Sequence, residues 1–120
     1  MTDERPQSGG QTRESADERS YSIAFHDVWE AAVAAAGTLR EWSVTASDPR
    51  SGTLAITTAD RFGRRPLPGS VRLWLDELGQ TRMEVRLSEP VRLLASGSAA
   101  RRIARFLTRV DAALRAGAPR

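Results

Sequence analysis

The sequence predicts an α+β fold: an antiparallel sheet of four or five strands with two helices packed on one face, in the order β-α-β-β-β-β-α. Three observations predict it. Residues 25–40 and 97–115 repeat apolar side chains at helical spacing. Four segments between them alternate apolar and polar residues with a period of two. Short turn-forming runs join several of those segments, which makes neighbouring strands antiparallel.

The chain has 120 residues, the size of one domain. It has no cysteine, which excludes disulfides, thiolate metal sites and thiol nucleophiles. His26 is the single histidine, so no histidine ligand set exists and no metal or cofactor is expected. All 18 basic side chains are arginine, a pattern that GC-rich coding explains more simply than guanidinium chemistry. The net charge of +3 is unevenly placed. Residues 1–20 carry three Arg against five Asp or Glu, whereas residues 91–120 carry seven Arg against Asp111 alone. That basic end raises a polyanion hypothesis. No apolar run reaches the length of a membrane span, and the first residues lack a signal-peptide pattern, so a cytoplasmic protein is expected.

Residues 1–19 are polar and charged, with almost nothing apolar to bury, and are expected to form a disordered tail. The single α+β domain is expected over 20–116, with 117–120 frayed. Ser20 to Ile23 is a short candidate strand. Phe25 to Arg40 follows as a helix, with Asp27 and Glu30 suited to its first turn and Arg40 to its last. Val28, Ala32, Ala35 and Leu39 form its buried stripe, widened by Trp29 and Ala36.

Trp42, Val44 and Ala46 alternate with Ser43 and Thr45. Asp48-Pro49-Arg50-Ser51-Gly52 is turn chemistry. Leu54, Ile56 and Thr58 then alternate with Thr53, Ala55 and Thr57. Asp60 to Gly69 is expected as a loop. Val71, Leu73 and Leu75 alternate with Arg72, Trp74 and Asp76. Glu77-Leu78-Gly79 fits a three-residue hairpin loop with Gly79 in the left-handed position. Thr81, Met83, Val85 and Leu87 make the inner set of the next strand. This hairpin places Leu75 opposite Thr81, Trp74 opposite Arg82, Leu73 opposite Met83 and Arg72 opposite Glu84. A slip of one residue would bury Arg72 and Arg82, so the register is firm. The outer pairs are a cation on an indole and an ion pair. Glu89 to Ser96 connects to the last helix, whose apolar stripe is Ile103, Phe106, Leu107, Val110 and Leu114. Arg101, Arg102, Arg105 and Arg109 are expected on its opposite face.

The run from Phe25 to Leu114 resembles an uncharacterised bacterial family, the domain of unknown function fourteen-ninety-nine. The residues that carry the resemblance are Asp27-Val28-Trp29, Trp42-Ser43-Val44 and Asp48-Pro49-Arg50-Ser51-Gly52, then Arg86, Gly97, Arg101, Arg102 and Ile103. Ala95, Ala99 and Arg92 stand where the family's motif has aspartate, asparagine and glycine. Arg64-Arg65-Pro66 follows Phe62-Gly63 where the family has an acidic pair. The resemblance therefore implies a bacterial source and a fold, and the polar residues of a family site are missing from this chain. The sheet and its C-terminal helix also resemble the helix-grip ligand-binding proteins, at shorter length.

His26-Asp27 is the nearest thing to an acid–base pair, yet no nucleophile or oxyanion hole accompanies it, so His26 reads as a helix-start residue. Adjacent carboxylates at Asp76-Glu77 read as solvated hairpin residues. Ser96-Gly97-Ser98 reads as a helix cap rather than an anion cradle. Trp74, Arg72, Arg82 and Phe62 form a candidate interaction surface; a partner surface and a self-contained cation–π cluster both fit it. Arg101, Arg102, Arg105 and Arg109 form a candidate anion surface. The expectation is a non-enzymatic domain acting through protein association, with an unidentified protein partner or as a homodimer. The alternatives are a small ligand in the cleft between sheet and helices, and weak polyanion binding by the arginine face. Nucleic acid is not the expected partner, because no aromatic side chains interleave that stripe.

Overall fold

A computed structural model describes residues 12–60, 63, 65–90 and 98–117. The elements are β1 (Thr12–Tyr21), α1 (Phe25–Thr38), β2 (Trp42–Asp48), β3 (Thr53–Thr58), β4 (Leu67–Leu75), β5 (Thr81–Pro90) and α2 (Ser98–Ala116). The strands form one antiparallel sheet in the order β1-β5-β4-β3-β2. The fold class and element order are those the sequence predicts. Residues 1–11 of the expected tail, Phe62, and the Ser96-Gly97 start of the last helix lie outside the described residues.

Both helices cover one sheet face. From α1 come Val28, Trp29, Ala31, Ala32, Ala35 and Ala36; from α2 come Ala99, Ile103, Phe106, Leu107 and Val110. The sheet answers with Leu54, Ile56, Leu67, Val71, Leu73, Met83, Val85 and Leu87, all buried. Each such large side chain contributes about 1.5–3 kcal/mol through burial. The alanines of α1 let the two helices approach closely.

The hairpin between β4 and β5 has the predicted register at all four pairs. Gly79 takes φ +80°. The Asp76 carboxylate organises the turn by accepting from the backbone N–H groups of Leu78 and Gln80 at 2.9 and 3.0 Å. Those bonds, the Gln80 one foremost, hold its pKa below the usual aspartate value.

Four local expectations are corrected. Residues 12–19 are not a disordered tail: they pair with β5 as part of a ten-residue edge strand. Ion pairs take the place of apolar burial here. Arg86 bonds Glu14, Arg82 bonds Glu18 at 2.8 Å, and Arg19 reaches Asp111 of α2 at 3.2 Å. Charge on an edge strand also discourages pairing with other chains. Second, β4 begins at Leu67, inside the expected loop. Pro68 is tolerated because the ladder between β4 and β5 starts only at Gly69. Third, a bulge between Val44 and Ala46 shifts β2 by one residue. Ala46 therefore lies opposite Ala55 of the outer set. Val44 keeps its place opposite Ile56 but, on this edge strand, is 40% exposed. Fourth, Leu75 is 58% exposed, because it lies at the hairpin end of the sheet, clear of the core.

Candidate functional site

The outer sheet face was the first candidate surface. Its charges are largely satisfied within the chain. Arg82 bonds Glu18 and also lies 3.5 Å from Asp76, which together raise its pKa, the Glu18 bond most. Arg86 is held between Glu84 at 3.1 Å and Glu14 at 2.6 Å. Trp74 is half-buried, and its cation partner is Arg72 of its own strand, 5.1 Å from the ring centroid, not the Arg82 expected across the ladder. Arg82 turns instead to carboxylates, one of them supplied by β1. Trp74 and Arg72 thus form a local cation–π pair.

The arginine face of α2 is divided. Arg101, Arg105 and Arg109 are exposed, as expected. Arg102 is not: it is 7% exposed and lies on the core side of the helix. Its Nη1 donates to Thr58 Oγ1 at 2.8 Å, to the Thr58 carbonyl at 3.3 Å and to the Arg65 carbonyl at 3.2 Å. Arg65 takes φ +53°, a left-handed conformation uncommon outside glycine, while its carbonyl accepts this bond. Burial lowers the Arg102 pKa, while the charges of Asp60, Glu89 and Glu41 oppose that pull. Glu89, expected in a connector, is instead the last inward residue of β5 and is 3% exposed. Sequence reasoning missed this buried polar knot. The signal was present, since Arg102 stands one helical turn from both Ala99 and Phe106 on the core stripe.

At the other end of α2, Asp111 accepts from Tyr21 Oη at 2.9 Å and from Arg19 at 3.2 Å. This ties β1 to the helical layer. Burial, then the hydrogen bond to Asp111, push the Tyr21 pKa above the usual tyrosine value. His26 pairs with Glu30 one turn along α1 at 3.2 Å, and both side chains are mostly exposed, consistent with its reading as a helix-start residue. Among the described residues no group of three or more His, Cys, Asp or Glu side chains is placed to hold a metal ion.

Open grooves lie on the helical layer. One of about 320 Å³ is lined by Leu39, Ala104, Arg105, Thr108, Arg109 and Ala112, where the end of α1 meets the outer side of α2. Another of about 440 Å³ lies between the start of α1 and the end of α2, beside Ile23, Ala31, Ala34 and Leu114. Among the described residues no helix is long and apolar enough to cross a membrane.

No family model matches this chain, and no curated protein matches it. Its fold is similar to the crystal structure of TTHA0849 from Thermus thermophilus. The two superpose with a TM-score of 0.59 at 12% identity, covering 89% of this chain and all of that one. A likeness at that identity establishes the shared fold alone.

Proposed function

We propose that the chain is a non-catalytic protein-association domain that meets its partner on the outer surface of its helical layer. The observation that carries this reading is where the open space lies. Leu54, Val71, Val85, Leu87, Phe106 and Leu107 fill the interface between sheet and helices with no exposure at all. The outer side of the helices, by contrast, carries open grooves in which small and apolar side chains lie beside charged ones. A ligand between sheet and helices would have to displace close-packed core, whereas a protein surface needs no such opening.

Capture from cell extract tests the reading. The wild-type protein should retain a defined set of polypeptides. Ala104→Glu, on the exposed side of α2, should lose them, and Arg72→Ala on the far side of the sheet should keep them. A small molecule of constant mass in native mass spectra of the purified protein, with no polypeptide retained, would overturn the reading.

A further inference from the structure

We infer that the groove between the end of α1 and the outer side of α2 takes an acidic amphipathic helix of a partner protein. This rests on the association reading and adds the partner's chemistry to it. The floor is apolar and small: Leu39 just past the end of α1, with Ala104 and Ala112 from α2. Arg105 and Arg109 line it one turn apart, so their guanidiniums repeat at the spacing of side chains at i and i+4 on another helix. Arg101 stands exposed one turn earlier, and Arg40 stands exposed just past the end of α1.

Charge complementarity selects the occupant. Arg105 is 60% exposed and meets Glu41 only at 3.7 Å. Arg109 donates to the neutral hydroxyl of Thr38 at 3.1 Å. Asp111, the one acidic residue of α2, is turned to Tyr21 and Arg19 on its other flank. Glutamates or aspartates one turn apart on a partner helix would meet Arg105 and Arg109 together, while an apolar residue between them covers Leu39 and the alanines. Among the described residues no aromatic side chain lines the groove, so it lacks the stacking platform that single-stranded nucleic acids use. Among the described residues, none of the exposed large apolar side chains, Ile23, Val33, Val44, Leu75 and Leu78, lines this groove, so it lacks the apolar anchors of a membrane-surface helix.

The test uses the whole chain and a fluorescein-labelled Glu/Ala helical peptide with glutamates at i and i+4, beside the same peptide with glutamine in their place. Fluorescence polarisation should show the glutamate peptide binding at low salt, more weakly at physiological salt, and the glutamine peptide not binding. The Arg105→Gln/Arg109→Gln double variant should weaken binding by about three- to tenfold. Arg72→Gln should leave it unchanged, and both variants should keep the wild-type circular dichroism and Tm. Absence of binding at low salt, equal binding by the double variant, or tighter binding of duplex DNA or anionic vesicles would overturn the inference. Polypeptides captured from extract that the double variant still retains would overturn the acidic partner while leaving the association reading intact. A chain that captures no polypeptide and binds no peptide overturns both.

Discussion

Trp42 and Phe106 stack with ring centroids 4.6 Å apart and planes within 7° of parallel. The contact joins the first residue of an edge strand to the middle of α2, so it ties sheet and helical layer together at one margin. Phe106 has no exposure. Phe106→Ala should cost about 3–5 kcal/mol through the cavity and the lost stack. A domain of this size holds roughly 5–15 kcal/mol in all. Urea denaturation followed by tryptophan fluorescence should therefore show a much lower midpoint, and an unchanged one would mean that the stack does not hold the layers.

Arg102→Leu removes a buried cation and leaves the Thr58 hydroxyl and two carbonyls without their donor. Leaving a buried acceptor without its donor typically costs about 1–3 kcal/mol. Arg102→Lys should fall between Leu and wild type, because an ammonium keeps the charge but loses the planar fork. Chemical denaturation of the three proteins gives the order directly, and a Leu variant as stable as wild type would contradict the knot.

Two glycines should respond in opposite directions. An added Cβ at Gly69 would run into the Arg86 carbonyl and lie 2.6 Å from the Leu87 side chain. Gly69→Ala should cost about 1–3 kcal/mol through overpacking. At Gly37 in α1 an added Cβ meets nothing within 4 Å. Gly37→Ala should stabilise the helix by about 0.5–1 kcal/mol. Thermal melts of both variants check the contrast.

Tyr21 is the only tyrosine, so the phenolate absorbance of the folded protein reports it alone. Burial and Asp111 raise its pKa above the ordinary value near 10. Its contribution to stability is complete well below pH 10, the ordinary value at which the unfolded tyrosine is half-ionised, and is lost progressively as pH rises through that value towards the folded pKa. Tyr21→Phe should flatten that part of the alkaline stability profile. A phenolate midpoint at the ordinary value would mean that the Asp111 contact is not made.

The hairpin between β4 and β5 was legible because three signals agree on it: Glu77-Leu78-Gly79, two alternating strands, and the cost of burying Arg72 and Arg82. The stripes of both helices were legible from the spacing of their apolar residues. What hid was what periodicity does not encode. One bulged residue in β2 carries Ala46 to the other face, and no apolar pattern announces it. The strand at Thr12–Tyr21 is wet on most of its surface, so its ladder and ion pairs leave no alternation to read. With that strand unplaced, Glu18 was missing from the surroundings of Arg82, and Trp74 was given the wrong arginine. Of the arginine face, Arg101, Arg105 and Arg109 stood where the helix period put them. Arg102 was misplaced because a guanidinium reads as polar even on the core side.

The position of β1 has a consequence for the order of assembly. Within this sheet β1 is translated first, yet among the described residues its sheet partner is β5 alone, so its pairing closes a loop of roughly 60–80 residues. The ribosome releases α1, β2, β3 and β4 before that partner exists. Until then β1 has no ladder to join, and its charges keep it hydrated rather than sticky. Docking of β1 therefore comes late, after the rest of the sheet has formed a template for it. A polar first strand makes that wait safe: a long apolar segment in the same place would stay exposed while the rest of the sheet is made.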